Sequence, residues 1–182
     1  MSISKTNIIV CPPTKRCIHN ISKVIGNTSY EWVYFGQDVT NALVVEKWIG
    51  LQGKQIEISE KLQETANNLK ESYINYIGKL SAEHNSIIWW STSLSEKNQF
   101  ISKTFLFSCY IKVALSLAEL PNTDNLVFFV ENQQLRLCFV DNFLKSNYII
   151  KHIESRRSAI LESINDNVEF IVKHSWFALS NI

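Results

Sequence analysis

Short apolar runs alternate along this chain with stretches whose apolar residues return every three or four positions. That alternation restricts the fold more than any other feature of the sequence. Runs 7–10 (NIIV), 31–35 (EWVYF), 86–90 (SIIWW), 126–130 (LVFFV) and 148–153 (YIIKHI) read as strands, and 55–58 is a further short candidate. Unbroken apolar strands are those buried on both faces. Between them lie helical patterns. Cys17, Ile21, Val24 and Ile25 share one face, closed by Gly26-Asn27. Residues 38–48 follow a cap at Asp38 or Thr40. The most regular stripe runs over 59–83, where Leu62, Ala66, Leu69, Tyr73, Tyr76 and Leu80 recur behind Ser59 as N-cap. It reads as a core stripe, with a ligand platform at the two tyrosines as the alternative. Residues 100–120 are apolar nearly all round, the pattern of a helix buried on most sides, and Pro121 stops them. Helices over 131–143 and 155–177 complete the series. Strand and helix in turn predict an α/β fold: a Rossmann-like, open, mostly parallel sheet of about five strands, helices on both faces and SIIWW at its centre.

The expected organisation is a lobe over 1–153 and a helical segment over 154–182, which packs on the lobe, on a partner or on a following domain. A chain of 182 residues with 46% hydrophobic and 12% aromatic residues is long enough for a full core and excludes general disorder. Lys+Arg 18 against Asp+Glu 17 leaves a net charge of +1, which gives no electrostatic case for nucleic-acid binding. Cys11, Cys17, Cys109 and Cys138 form no CxxC pair, and His19, His84, His152 and His174 show no metal-ligand spacing. No cofactor or metal is expected, because the five glycines also make no phosphate loop. The first residues lack a signal-peptide pattern, and no run approaches the ~18 apolar residues of a membrane span. The expected location is the cytoplasm, with reduced thiols.

In parallel sheets ligands bind beyond the carboxyl ends of the strands. The polar segment 91–98 leaves the SIIWW run and leads into the most apolar helix, so it is the first candidate site. Glu96 is a candidate general base, Lys97 a candidate charge for an acidic group, and Ser93, Ser95 and Asn98 candidate polar contacts. A loop of ordinary serine caps is the alternative. Adjacent Trp89 and Trp90 on a strand point to opposite faces, so one packs under a helix. Trp90 is the candidate sugar-stacking ring, with burial of both as the alternative. Asp38 follows Gly36 at the end of a strand and is either a second candidate catalytic carboxylate or an N-cap. Lys151, Arg156 and Arg157 form a small basic cluster that reads as a solvated helix start.

The run 86–102 (SIIWWSTSLSEKNQFIS) resembles a signature of bacterial surface carbohydrate biosynthesis proteins: a WW pair, a small polar stretch with SL, then S-x-K/R-N, an apolar residue and Ser. The matching positions are Trp89, Trp90, Ser93, Leu94, Ser95, Lys97, Asn98, Phe100 and Ser102, and the likeness extends over roughly residues 55–135. The resemblance implies a glycosyltransferase-like protein with two Rossmann-like lobes, of which this chain is the N-terminal, acceptor-side one. A second lobe would then hold the nucleotide sugar. The alternative is a non-catalytic Rossmann-like module that docks a partner protein.

Residues 168–182 (VEFIVKHSWFALSNI) stay apolar to the last position, which favours a chain that is part of a longer protein. A helix there lines Val168, Ile171, Val172 and Leu179 on one face and leaves Phe170, Trp176 and Phe177 pointing elsewhere. Covering one such side chain is worth about 1.5–3 kcal/mol, so the segment is expected to pack against a second copy or a following lobe. A terminal helix folded back on its own sheet is the alternative. Sedimentation of the wild type and a Trp176→Glu, Phe177→Glu variant checks this. A wild-type monomer with both side chains in its own core overturns it.

Overall fold

The computed structural model describes residues 7–26, 28–91, 103–119, 125–145 and 149–152. In chain order the elements are β1 (Asn7–Cys11), α1 (Lys15–Ile25), β2 (Tyr30–Phe35), α2 (Val39–Ile49), a 3-10 turn (Gly50–Gln52), β3 (Gly53–Gln55), α3 (Ser59–Glu83), α4 (Ile87–Trp90), α5 (Lys103–Ala118), β4 (Asn125–Val130), α6 (Gln133–Lys145) and β5 (Ile149–His152). The loop beyond Ser91, the basic pair Arg156-Arg157 and the whole segment 154–182 lie outside the described residues. The described residues fall into two compact units, one of residues 7–58 and 114–152, the other of residues 59–113.

The first unit is an α/β sheet in which every strand pairing is parallel, in the order β3-β2-β4-β1-β5. Parallel neighbours cannot be joined by a tight turn, so the helical stretches between the apolar runs serve as crossovers. β4 holds the centre, with all of its residues buried. Its alternate side chains serve two different layers. Val127 and Phe129 join Ile9, Cys11 and Trp32 under Cys17 and Ile21 of α1 and Val45 and Ile49 of α2. Phe128 faces the other way, 5.4 Å from Phe35 and 5.8 and 5.6 Å from Phe139 and Phe143 of α6, ring centre to ring centre. Most of these ring pairs meet edge to face, the arrangement the ring quadrupoles favour. The order differs from the 3-2-1-4-5 of the doubly wound dinucleotide fold, because β4 is inserted between β2 and β1.

α2 begins at Asp38 and ends at Gly50, whose φ of 57° lies in the left-handed region that glycine enters without steric cost. At the opposite edge of the sheet the Asn7 amide donates to Asn125 Oδ1 at 3.1 Å, and the Asn125 amide donates to Thr28 Oγ1 at 3.1 Å. These bonds satisfy Asn125, a polar group buried at the start of the central strand.

The second unit is helical. α3 covers 59–83 as its periodicity predicts, and its stripe is core rather than ligand platform: Tyr73 and Ile77 are buried against Phe105 and Cys109 of α5, with Leu62, Ala66, Leu69, Tyr76 and Leu80 packed around them. Among the described residues no helix is long and apolar enough to cross a membrane.

The expected central strand over 86–90 is overturned. Ile87–Trp90 form the short helix α4, with Ile87 86% and Ile88 75% exposed. Ser86 starts it, its hydroxyl accepting from the Trp89 backbone N–H at 3.2 Å. Trp89 turns back onto α3, where its indole N–H reaches Ser81 Oγ at 3.2 Å. An apolar run this short has no period that separates strand from helix, and a serine cap beside a helix end decided it. The short strand foreseen at 55–58 lies earlier, at Gly53–Gln55. The helix foreseen from 131 starts at Gln133.

Two substitutions test this arrangement by urea denaturation. Phe128→Ala, which empties a site between the rings of Phe35, Phe139 and Phe143, is expected to cost about 3–5 kcal/mol. Ile87→Ser is expected to change stability by no more than about 0.5 kcal/mol, as for other surface positions. A loss of several kcal/mol from Ile87→Ser would restore the strand.

Candidate functional site

All strands of a parallel sheet point the same way, so their carboxyl ends and the starts of the following helices gather along one edge. Here Phe35 and Val130 end β2 and β4 at matched register, and Cys11, opposite Phe129, ends β1 one residue earlier. The chain leaves β1 and β2 toward the face covered by α1 and α2. It leaves β4 toward the opposite face, covered by α6. Neighbouring strands whose connections diverge open a crevice, and in open α/β sheets that is where ligands bind.

Glu131 is the first residue beyond β4. Its backbone N–H still donates to the Phe35 carbonyl of β2 at 3.2 Å, so the ladder carries it to the edge. Its side chain then turns across to the β2–α2 loop. Oε1 accepts from the Tyr34 hydroxyl in a short bond and from Asn41 Nδ2 at 3.3 Å, while Oε2 accepts from the Gln37 backbone N–H at 2.9 Å. Gly36 makes the turn possible, since a Cβ there would sit 2.6 Å from Glu131 Cγ. Partial burial pushes the Glu131 carboxyl up. Donation from Tyr34, the Gln37 N–H, Asn41 and the Asp38 N–H outweighs it and holds the group below the ordinary 4.5. Glu131 is therefore an anion at neutral pH and a weak base, unsuited to taking a proton from a substrate.

A cation is fixed beside it. Arg136, 8% exposed, folds back from α6 and donates from Nη1 to the carbonyls of Val130 at 2.8 Å and Glu131 at 2.9 Å. Asn132 caps α6, its Oδ1 accepting from the Leu135 N–H at 3.0 Å. Cys11 ends β1 fully buried. Burial raises its thiol well above 9.0, with Cys17 adding to the effect and Arg136 opposing it. A thiol in that state is a core group rather than a nucleophile.

Of the residues singled out in the sequence, Asp38 stands at this edge. Its contacts are those of a cap: Oδ1 accepts from the backbone N–H groups of Thr40 at 2.8 Å and Asn41 at 3.2 Å, and its own carbonyl lies 3.0 Å from the Tyr34 hydroxyl. Trp90 belongs to the helical unit, 54% exposed, with its indole N–H on Asn85 Oδ1 at 2.9 Å. Ser93, Ser95, Glu96, Lys97 and Asn98 lie outside the described residues. Among the described residues no group of three or more His, Cys, Asp or Glu side chains could hold a metal ion.

The sequence pattern does not single out Glu131, Tyr34, Asn41 or Arg136, and the helix expected from 131 includes Glu131. The usable signal is a carboxylate directly after an unbroken apolar strand, followed by the Asn that caps the next helix.

The depressed Glu131 carboxyl sets the pH dependence. A group whose native pKa lies below its unfolded one stabilises fully above the unfolded value and loses that contribution as pH falls through the native value. Glu131→Gln is therefore expected to lower stability by about 1–2 kcal/mol at pH 7, the exposed side of the carboxylate limiting the loss. The gap to wild type should begin to narrow as pH falls past the ordinary value of 4.5 and close once pH has fallen through the lower native value. Thermal unfolding of both proteins between pH 3 and pH 7 reads this. A gap that stays constant to pH 3 overturns it.

No family model, curated protein or solved structure matches this chain.

Proposed function

We propose that this chain is the acceptor-side lobe of a glycosyltransferase-like protein that builds a bacterial surface polysaccharide in the cytoplasm. The observation that carries the reading is the polar carboxyl edge of a parallel sheet, placed where connections diverge and set with Asp38, Asn41 and Glu131. The likeness of the 86–102 run to surface carbohydrate proteins supplies the substrate class. A parallel sheet with helices on both faces supports the reading, although the strand order is not that of the doubly wound dinucleotide fold. In this reading Asp38 or Glu96 receives the proton of the acceptor hydroxyl. Glu131 is committed to the loop and takes no part in proton transfer. Ser93, Ser95, Lys97 and Asn98 hold the acceptor, Trp90 stacks on a sugar ring, and the nucleotide sugar is carried by a second lobe.

A non-catalytic module that docks a partner protein is the second reading. One observation favours it: Ile87, Ile88 and Trp90 are all exposed on α4, an apolar cluster of the kind that marks an interface.

Amide-shift titration of the labelled chain with free hexoses, hexuronic acids and nucleotide sugars separates the readings. The first expects a sugar response, weak binding of nucleotide sugars and no transfer activity by the chain alone. Sugar transfer by the purified chain would show that no second lobe is needed. Silence toward every sugar leaves the docking reading in its place.

A further inference from the structure

The β2–α2 loop gathers more donors than its own backbone requires. The Tyr34 hydroxyl, the Gln37 N–H and the Asn41 side-chain amide converge on one pair of oxygens, those of Glu131. The Asp38 backbone N–H, at the N-cap of α2, is a further donor to the same carboxylate. Within α2 the N–H groups of Thr40 and Asn41 are already taken by Asp38 Oδ1, at 2.8 Å and 3.2 Å. The cradle thus draws on a strand side chain, loop and cap amides and a helix side chain rather than on the helix end alone. Its shape is specific. Tyr34 and Asn41 address Oε1 and the Gln37 N–H addresses Oε2, with the Asp38 N–H as a further donor, a set spread over both oxygens that fits the planar oxygen pair of a carboxylate better than a tetrahedral or spherical ion. Gly36 leaves the space in which the carboxylate sits. Glu131 reaches it from another strand, and its side chain is only partly buried, so water and solutes have access to the same place.

From this convergence we propose that the β2–α2 loop is a carboxylate-binding cradle which the chain's own Glu131 occupies, and that a carboxylate-bearing ligand enters this edge by exchanging with it. A tethered group competes at an effective concentration of order millimolar or higher, so a free carboxylate displaces it only when other contacts add to its binding. The cradle thus favours larger ligands that carry an acid group over simple acid anions. It stands apart from the sugar reading, because it requires only an acid group on the ligand.

Removing the internal competitor exposes the cradle. The full chain carrying Glu131→Ala, titrated with sodium acetate at constant ionic strength, is expected to show amide shifts at Gly36, Gln37, Asp38 and Asn41 and a rise in thermal midpoint. Wild type should need at least about tenfold more acetate for the same shifts. Glu131→Gln, which fills the space without a charge, should respond no better than wild type. Tyr34→Phe added to Glu131→Ala should weaken the acetate response. Should Glu131→Ala fail to fold in plain buffer, Glu131→Ser enters the same titration. A folded variant that ignores acetate overturns the cradle. So does a response to phosphate or chloride that equals the response to acetate, since the carboxylate shape would then count for nothing.

Discussion

β4 is the strand on which the sheet depends. Every one of its residues is buried, and its alternate side chains enter two separate layers. A strand with no polar face cannot lie at an edge, because edge strands leave N–H and C=O groups and one flank of side chains in water. It must have a strand on each side and helices on each face. β1 and β2 supply the flanks, α1 and α2 one cover, and α6 the other. Burial of Phe128 and Phe129 in opposite directions commits both layers to the same strand, so loss of either cover exposes aromatic surface that water penalises by roughly 25 cal/mol per Å².

The same insertion creates the polar edge. Because β4 lies between β2 and β1, the residue that follows it emerges beside the β2–α2 loop, a neighbour nearly a hundred positions earlier in the chain. Glu131 then meets Tyr34, Gln37 and Asn41, and each bond is charge-assisted and stronger than its neutral counterpart. Arg136 holds the carbonyls of the same turn from below. The edge is built of paired groups, so its chemistry is that of positioning and exchange. A buried thiol at Cys11 and a carboxylate held well ionised at Glu131 both argue against nucleophilic or general-base work by these two residues.

The helical unit shows a different balance. α3 buries one stripe against α5 and leaves a mostly polar remainder, with Ile74 exposed among it, as an amphipathic helix does. α4 splits its tryptophans: Trp89 lies against α3 with its N–H on Ser81, and Trp90 stays in water with its N–H on Asn85. The two rings sit on consecutive residues, and about 100° of helical rotation separates their directions. In the strand expected from the sequence the pair would also have divided, so the division alone does not distinguish the two structures. The exposure of Ile87 and Ile88 does.

Composition and period determined the class of fold. Strand-length apolar runs set between helix-length amphipathic stretches leave few alternatives to a parallel α/β sheet, and the residues that line α1, α3, β1, β2 and β4 could be named from spacing alone. Asp38 was legible as a cap because Asp before a helical run does one local job. What the sequence did not determine was which apolar run takes the centre. SIIWW and LVFFV are alike in composition and length, and the choice fell to neighbours: Ser86 and the end of α3 made a helical turn of one, while β1 and β2 enclosed the other. Glu131 was illegible for the same reason. Its partners belong to a loop brought beside it by strand order, and strand order is a property of the folded sheet that no local pattern of residues encodes.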